Sequence, residues 1–115
     1  MSIHPYPLWS ANRELLASRD RRNGEWVFPA VPDASPLAPH HETLPVQGNG
    51  TVYSFTIIHP GAKTGLPPYA LGCVDFDGPV RIFGRLQGKA QPAIGDRYRP
   101  CADDNLGYVF EAVAA

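Results

Sequence analysis

Thirteen prolines and eleven glycines in 115 residues constrain this chain more than any motif does. Proline removes a backbone donor and breaks helix interiors, so long helices are excluded and short strands joined by frequent turns are favoured. The breakers are unevenly spread. From 29 to 45 five prolines crowd the chain, whereas from 51 onward runs rich in β-branched and aromatic residues lie between turn signals. The sequence therefore divides near residues 47–50, into a proline-punctuated arm (1–47) and an all-β segment (48–115).

The second segment reads as five strands. Thr51 to His59 is dense in Val, Tyr, Phe, Thr and Ile, the residues that suit a pleated surface. Pro60 to Pro68 is a loop. Tyr69 to Phe76 and Pro79 to Gln87 form a hairpin around Asp77-Gly78, a favoured two-residue turn. Arg97 to Cys101 and Tyr108 to Val113 complete the set. Five short strands of this spacing predict a small barrel of the OB type. A two-residue turn pairs Phe76 with Pro79, Cys73 with Ile82, Leu71 with Gly84 and Tyr69 with Leu86. Since side chains alternate across a strand, Tyr69, Leu71, Cys73, Val80, Ile82 and Leu86 are expected inside. Ala70, Gly72, Val74 and Phe76 are expected outside with Arg81, Phe83 and Arg85, and Gly72 opposite Phe83. A face mixing Val, Phe and Arg has the composition of an interface core.

In the arm, Pro7 to Ser18 is the one helical candidate, with Leu8, Asn12 and Leu15 on one side and Trp9 and Leu16 beside them. Glu25 to Phe28 is a brief strand ended by Pro29. Residues 29–45 are expected to be extended chain without a lasting regular element. Asp20-Arg21-Arg22-Asn23-Gly24 and Asp33-Ala34-Ser35-Pro36 have the spacing of paired metal-binding knuckles, yet the ligand positions hold Asp20, Asn23, Asp33 and Pro36. Structural zinc takes four N or S donors in a tetrahedron, so a metal-free arm is expected.

Charge and motifs bound the chemistry. Net charge is −1; residues 1–47 carry four basic and five acidic groups and residues 48–115 six of each, so neither half attracts nucleic acid or anionic membrane by bulk charge. No apolar run reaches the roughly 18–20 residues of a membrane span, and the first residues lack a leader pattern, which reads as a soluble, cytoplasmic chain. No nucleophile elbow, zinc-protease motif or phosphate loop occurs. Asp103-Asp104 belongs to a polar turn. His40-His41, with Asp33, Glu42 and His59, is the most metal-like group, but adjacent residues on extended chain point to opposite sides. Cys73, placed inside the barrel, stays protonated there. Two cysteines, Cys73 and Cys101, read as free thiols. An OB-fold that binds single-stranded nucleic acid is the alternative function; Phe83 with Arg81 and Arg85, or Tyr98 with Arg97 and Arg99, would supply its stacking and charge.

The order and spacing of several segments carry a family resemblance. They are Trp9, Gly24 to Pro29, Gly50 to Thr56, Pro67 to Ala70, Val74 to Gly78 and Gly95 to Tyr98. With these the chain resembles the small acyl-CoA-associated OB-fold proteins that carry an N-terminal rubredoxin-like zinc ribbon. It departs from them at all four ligand positions and in a Trp9-to-20 stretch about two residues shorter than usual. The resemblance implies a non-catalytic accessory subunit beside a thiolase-like or hydratase-like enzyme, helping to enclose an acyl-CoA channel, with no cofactor of its own held stably. It implies a contact surface formed by Trp9, the outer hairpin face around Arg81, Phe83 and Arg85, and the loop from Lys63 to Tyr69, with CoA phosphate contacts from Lys63, Arg81 and Arg85. Homodimer formation is a further expectation, because apolar surface on the arm needs cover. Metal in small ribbons contributes of order 10 kcal/mol to folding, so its loss has to be offset by packing of Trp9, Leu15, Leu16, Trp26, Val27 and Phe28.

Overall fold

The eight strands of the computed structural model, which describes residues 8–77 and 79–113, form two sheets around one core. The first sheet is antiparallel, in the order β2-β1-β3, from β1 (Leu16–Asp20), β2 (Trp26–Val27) and β3 (His41–Pro45). The second is a barrel closed in the order β4-β5-β6-β8-β7, from β4 (Gly50–Ile58), β5 (Tyr69–Phe76), β6 (Val80–Gln87), β7 (Arg97–Asp103) and β8 (Gly107–Ala112). Two of its five seams are short: β4 meets β7 only at Gly50↔Tyr98 and Thr51↔Arg97, and β6 meets β8 in parallel only at Leu86↔Phe110 and Gln87↔Glu111. Strands and barrel thus match the sequence reading. Among the described residues, no helix is long and apolar enough to cross a membrane.

Three expectations are overturned. The first is the N-terminal helix, whose first residue, Pro7, lies outside the described residues. In its place Ser10 to Arg13 make a turn, Trp9 bridges Leu15 antiparallel, and β1 follows at once. The Ser10 hydroxyl accepts the amides of Asn12 and Glu14, and Arg13 takes a positive φ of 62°, a conformation no α-helix admits. The second is the absence of regular structure from 29 to 45. A 3₁₀ turn (Ala38–His40) leads into β3, which pairs along its whole length with β1 from Leu16↔Pro45 to Asp20↔His41. A strand that ends in proline survives because its partner supplies the ladder.

The third correction is the β5–β6 register. Phe76 pairs with Val80, not Pro79, so the turn spans residues 77–79, of which Gly78 lies outside the described residues. Val74 then faces Ile82, Gly72 faces Gly84 and Cys73 faces Phe83. One residue of slip moves every β5 side chain to the opposite face. The buried positions of β5 are Ala70, Gly72, Val74 and Phe76, while Tyr69, Leu71, Cys73 and Asp75 point outward and are half-buried. The β6 assignment stands, with Val80, Ile82 and Leu86 inside. Gly72 is required by close approach: a Cβ there would lie 2.6 Å from the Ser54 carbonyl and 2.9 Å from Leu86 Cδ1.

The arm is stapled to the barrel by packing. Leu15, Ala17 and Val46 belong to the same buried cluster as Val52, Val74, Tyr98 and Phe110, with Trp9, Trp26 and Phe28 packed against it. The Phe28 ring meets Tyr108 edge-on, centroids 5.2 Å apart, and the Trp9 indole N–H donates to the Gly107 carbonyl at 2.9 Å. Ser18, fully buried, accepts the Val31 amide at 2.8 Å and so holds the proline-rich loop against β1.

Candidate functional site

The outer face of the β5–β6 hairpin is the richest surface of the molecule. Across it Asp75 faces Arg81, Cys73 faces Phe83 and Leu71 faces Arg85. Arg81 is fully engaged. Its Nε and Nη2 donate to the two Asp75 carboxylate oxygens at 2.6 and 3.0 Å, and its guanidinium stacks 3.5 Å from the Tyr53 ring centroid. The Asp75 bonds push its pKa still further up. Arg85 is different: its guanidinium lies 4.5 Å from the Tyr69 ring centroid, with no carboxylate within ion-pair distance among the described residues. Stacking on an aromatic face leaves the in-plane N–H donors of an arginine available to an incoming acceptor.

Beside Arg85 the surface dips into a groove of about 450 Å³, lined by Leu66, Tyr69, Leu71, Phe83, Leu106 and Tyr108. Three of these walls are large apolar side chains that a lone chain leaves in water: Leu66 is 63% exposed, Phe83 56% and Leu106 49%. They come from three elements, namely the loop before β5, strand β6 and the β7–β8 turn. The turn is rigid, since the Asp103 carboxylate accepts the amides of Asn105 and Leu106. Tyr108 is fixed as well, its hydroxyl donating to the Phe83 carbonyl, and burial raises its pKa. The groove contains no acidic side chain.

Of the residues singled out in the sequence, Tyr69, Phe83 and Arg85 meet here. Arg81 is adjacent but occupied. Lys63 sits on an exposed 3₁₀ turn (Ala62–Thr64) and is not part of the groove wall. Trp9 is half-buried with its one polar atom bonded inside the molecule. Leu66 lies in the 63–69 loop that the sequence reading placed on the contact surface; Leu71, Leu106 and Tyr108 were missed. Leu71 was lost to the register slip; Leu106 carried a usable signal, being a large apolar residue within an otherwise turn-forming segment.

Other candidates are decided by their surroundings. Tyr98 is fully buried, so it offers no stacking platform, and Arg97 and Arg99 are held by Asn49, Thr51 and Glu111. Cys73 lies half-exposed on the outer face rather than inside the barrel. Burial and a contact with Glu111 hold the Cys101 thiol above its usual pKa, opposite to what a nucleophile needs. A second, wider depression of about 590 Å³ includes Lys89, Asp96 and Arg97, but Lys89 is paired with Asp96 at 2.6 Å.

The knuckle positions do not fit a metal. The Asp20 carboxylate is taken by Arg22, the Asn23 side-chain oxygen accepts the Glu25 amide at 2.9 Å, and Pro36 has no donor atom. Among the described residues, no three His, Cys, Asp or Glu side chains gather as a metal-holding group. His41 turns inward, with Nδ1 2.9 Å from the Leu37 carbonyl.

A five-stranded barrel of order β4-β5-β6-β8-β7, with an apolar groove on its hairpin face, defines an OB-fold protein. The chain belongs to the ChsH2 C-terminal OB-fold domain family, whose model matches residues 44–103. Among solved structures it is similar to a chain of the "Ltp2-ChsH2(DUF35) aldolase", with a TM-score of 0.66 and 21% identity, over 90% of this chain and 87% of that one. A search of curated proteins returned no match.

Proposed function

We propose that this chain is a non-catalytic accessory subunit of an acyl-CoA-processing enzyme complex, docking on a thiolase-like or hydratase-like subunit through its β5–β6 face. The observation that carries the reading is the groove, where exposed Leu66, Phe83 and Leu106 converge beside an arginine with no carboxylate partner. Exposed apolar surface of this kind is costly in a lone chain and typical of a contact core. Family membership supports it, as does the solved structure whose title joins ChsH2 to Ltp2 in one aldolase. Helping to enclose the acyl-CoA channel follows from the same face. On that face Arg85 is the cation left to meet CoA phosphates, since Asp75 neutralises Arg81, and Lys63 would reach them only from its exposed turn outside the groove. The partner supplies the catalytic residues, and Cys73 and Cys101 take no part.

The experiment is co-expression with thiolase-like subunits from the same genome. Co-elution on gel filtration, weakened by Phe83→Ala, is the expected result. Clean separation, with full thiolase activity in the absence of this chain, would overturn the proposal.

A further inference from the structure

The geometry points to a side-chain ion cluster, Asp20–Arg22–His41, that does in this arm the joining work a metal does in a ribbon. This reading is independent of the accessory role. Asp20 ends β1 and is only 8% exposed, an unusual setting for a carboxylate without a strong partner. It has one. The Arg22 amide donates to Oδ1 at 2.8 Å, Arg22 Nε to Oδ1 at 3.1 Å and Nη2 to Oδ2 at 2.9 Å. The first bond closes the turn through the backbone, and the other two form the two-pronged guanidinium–carboxylate contact that is the strongest side-chain pairing available.

The cluster also reaches the other half of the arm. The His41 side chain is 8% exposed and opens β3, and its Nε2 lies 3.8 Å from Asp20 Oδ2. Its Nδ1 faces the Leu37 carbonyl, an acceptor, so Nδ1 carries the hydrogen and the ring orientation is set. Backbone bonds converge on the same spot: Asp20 N to Glu25 O, Gly24 N to Asp20 O, and Arg21 N to His40 O, at 2.7, 2.8 and 2.7 Å. His41 Nε2 sits beside the Asp20 carboxylate and the Arg21 amide bonds the His40 carbonyl, so the β1–β2 turn (21–25) that Asp20 closes is tied to the segment from Leu37 to His41, which directly follows the second knuckle position, Pro36. The titratable and charged groups facing Asp20 are Arg22 from its own turn and the His41 imidazole from β3; Arg19 and Glu42, the neighbouring pair in the β1–β3 ladder, bond each other.

The test uses the full chain and amide hydrogen exchange at Arg21, Arg22 and Gly24, with barrel amides as the internal control. Asp20→Asn keeps the turn acceptor but removes the charge. Arg22→Ala removes the fork from a side chain 58% exposed, so this variant folds even if the other does not. Each is expected to speed exchange at Arg21 and Gly24 roughly tenfold, with barrel amides unchanged. The double variant should be no faster than the faster single one, because both remove one contact. Zinc chloride followed by EDTA should leave the wild-type rates as they are. One equivalent of zinc in the purified chain, with faster exchange at these amides on EDTA, would overturn the inference. So would unchanged exchange in both single variants, or additive effects in the double one.

Discussion

Replacing Phe28 with alanine removes the ring that stands edge-on to Tyr108, 5.2 Å between centroids and 89° between planes. Phe28 is half-buried and packs on the shared core. A fully buried Phe→Ala change costs about 3–5 kcal/mol, and half burial brings this to roughly 2 kcal/mol. The edge-to-face pair adds about 0.5–1.5 kcal/mol, giving an expected loss of about 2.5–3.5 kcal/mol. With an unfolding entropy near 2.1 cal/mol/K per residue, that lowers the melting temperature by roughly 10–15 °C for a chain of this length. Both tryptophans, Trp9 and Trp26, lie in the arm, while most strand residues belong to the barrel. Tryptophan fluorescence therefore follows the arm and far-ultraviolet circular dichroism mainly the barrel. A shared core requires the two melts to coincide in the wild type and to move down together in the variant. A shift under about 2 °C, or a wild-type fluorescence transition well below the dichroism one, would refute the argument that arm and barrel are one cooperative unit.

Three further outcomes are expected. Gly72→Ala drives a Cβ into the Ser54 carbonyl and should cost about 1–3 kcal/mol by urea denaturation; a neutral result would contradict the register given for β4 and β5. The Lys89 bond and the Ala93 amide hold the Asp96 pKa below its usual range. Its contribution is complete above the unfolded value of about 3.9 and is lost as pH falls through the lower folded value. Asp96→Asn should therefore be less stable than wild type at pH 7, with the gap closing on acidification below about pH 4. A gap as wide at pH 2 would contradict this. The Tyr98 hydroxyl is buried with no hydrogen-bond partner among the described residues, so Tyr98→Phe should melt at the same temperature or higher. A fall of several degrees would show that the hydroxyl is satisfied.

The barrel was legible because its strands are written in residues that suit a pleat: the Tyr69–Phe76 bounds are the observed ones, and the bounds of the other four strands are within two residues. The hairpin register was not, and the reason is local. Asp77-Gly78 reads as a two-residue turn, but Pro79 has no N–H to give the ladder, so pairing begins at Val80. The apolar pattern of β5 did not arbitrate, because Leu71 and Cys73 on one face are as hydrophobic as Ala70 and Val74 on the other. In the arm, Leu8, Leu15 and Leu16 mimic a helical stripe. Nothing in that spacing shows that Arg13 turns left-handed or that β1 finds a partner more than twenty positions on. The groove was half visible: Tyr69, Phe83, Arg85 and the loop that holds Leu66 were picked out, while Leu106 joins them only through tertiary structure.

The bond from Trp9 to Gly107 joins positions 98 apart, and this bears on the order of events during synthesis. The arm is made well before its landing surface, Gly107, Tyr108 and Phe110. At about 5–20 residues per second, Trp9, Trp26 and Phe28 wait for several seconds with nothing to rest on. The nascent chain is thus most exposed to aggregation and most in need of a chaperone just before β8 leaves the ribosome. Truncation within that last strand would strand the arm as well as open the barrel.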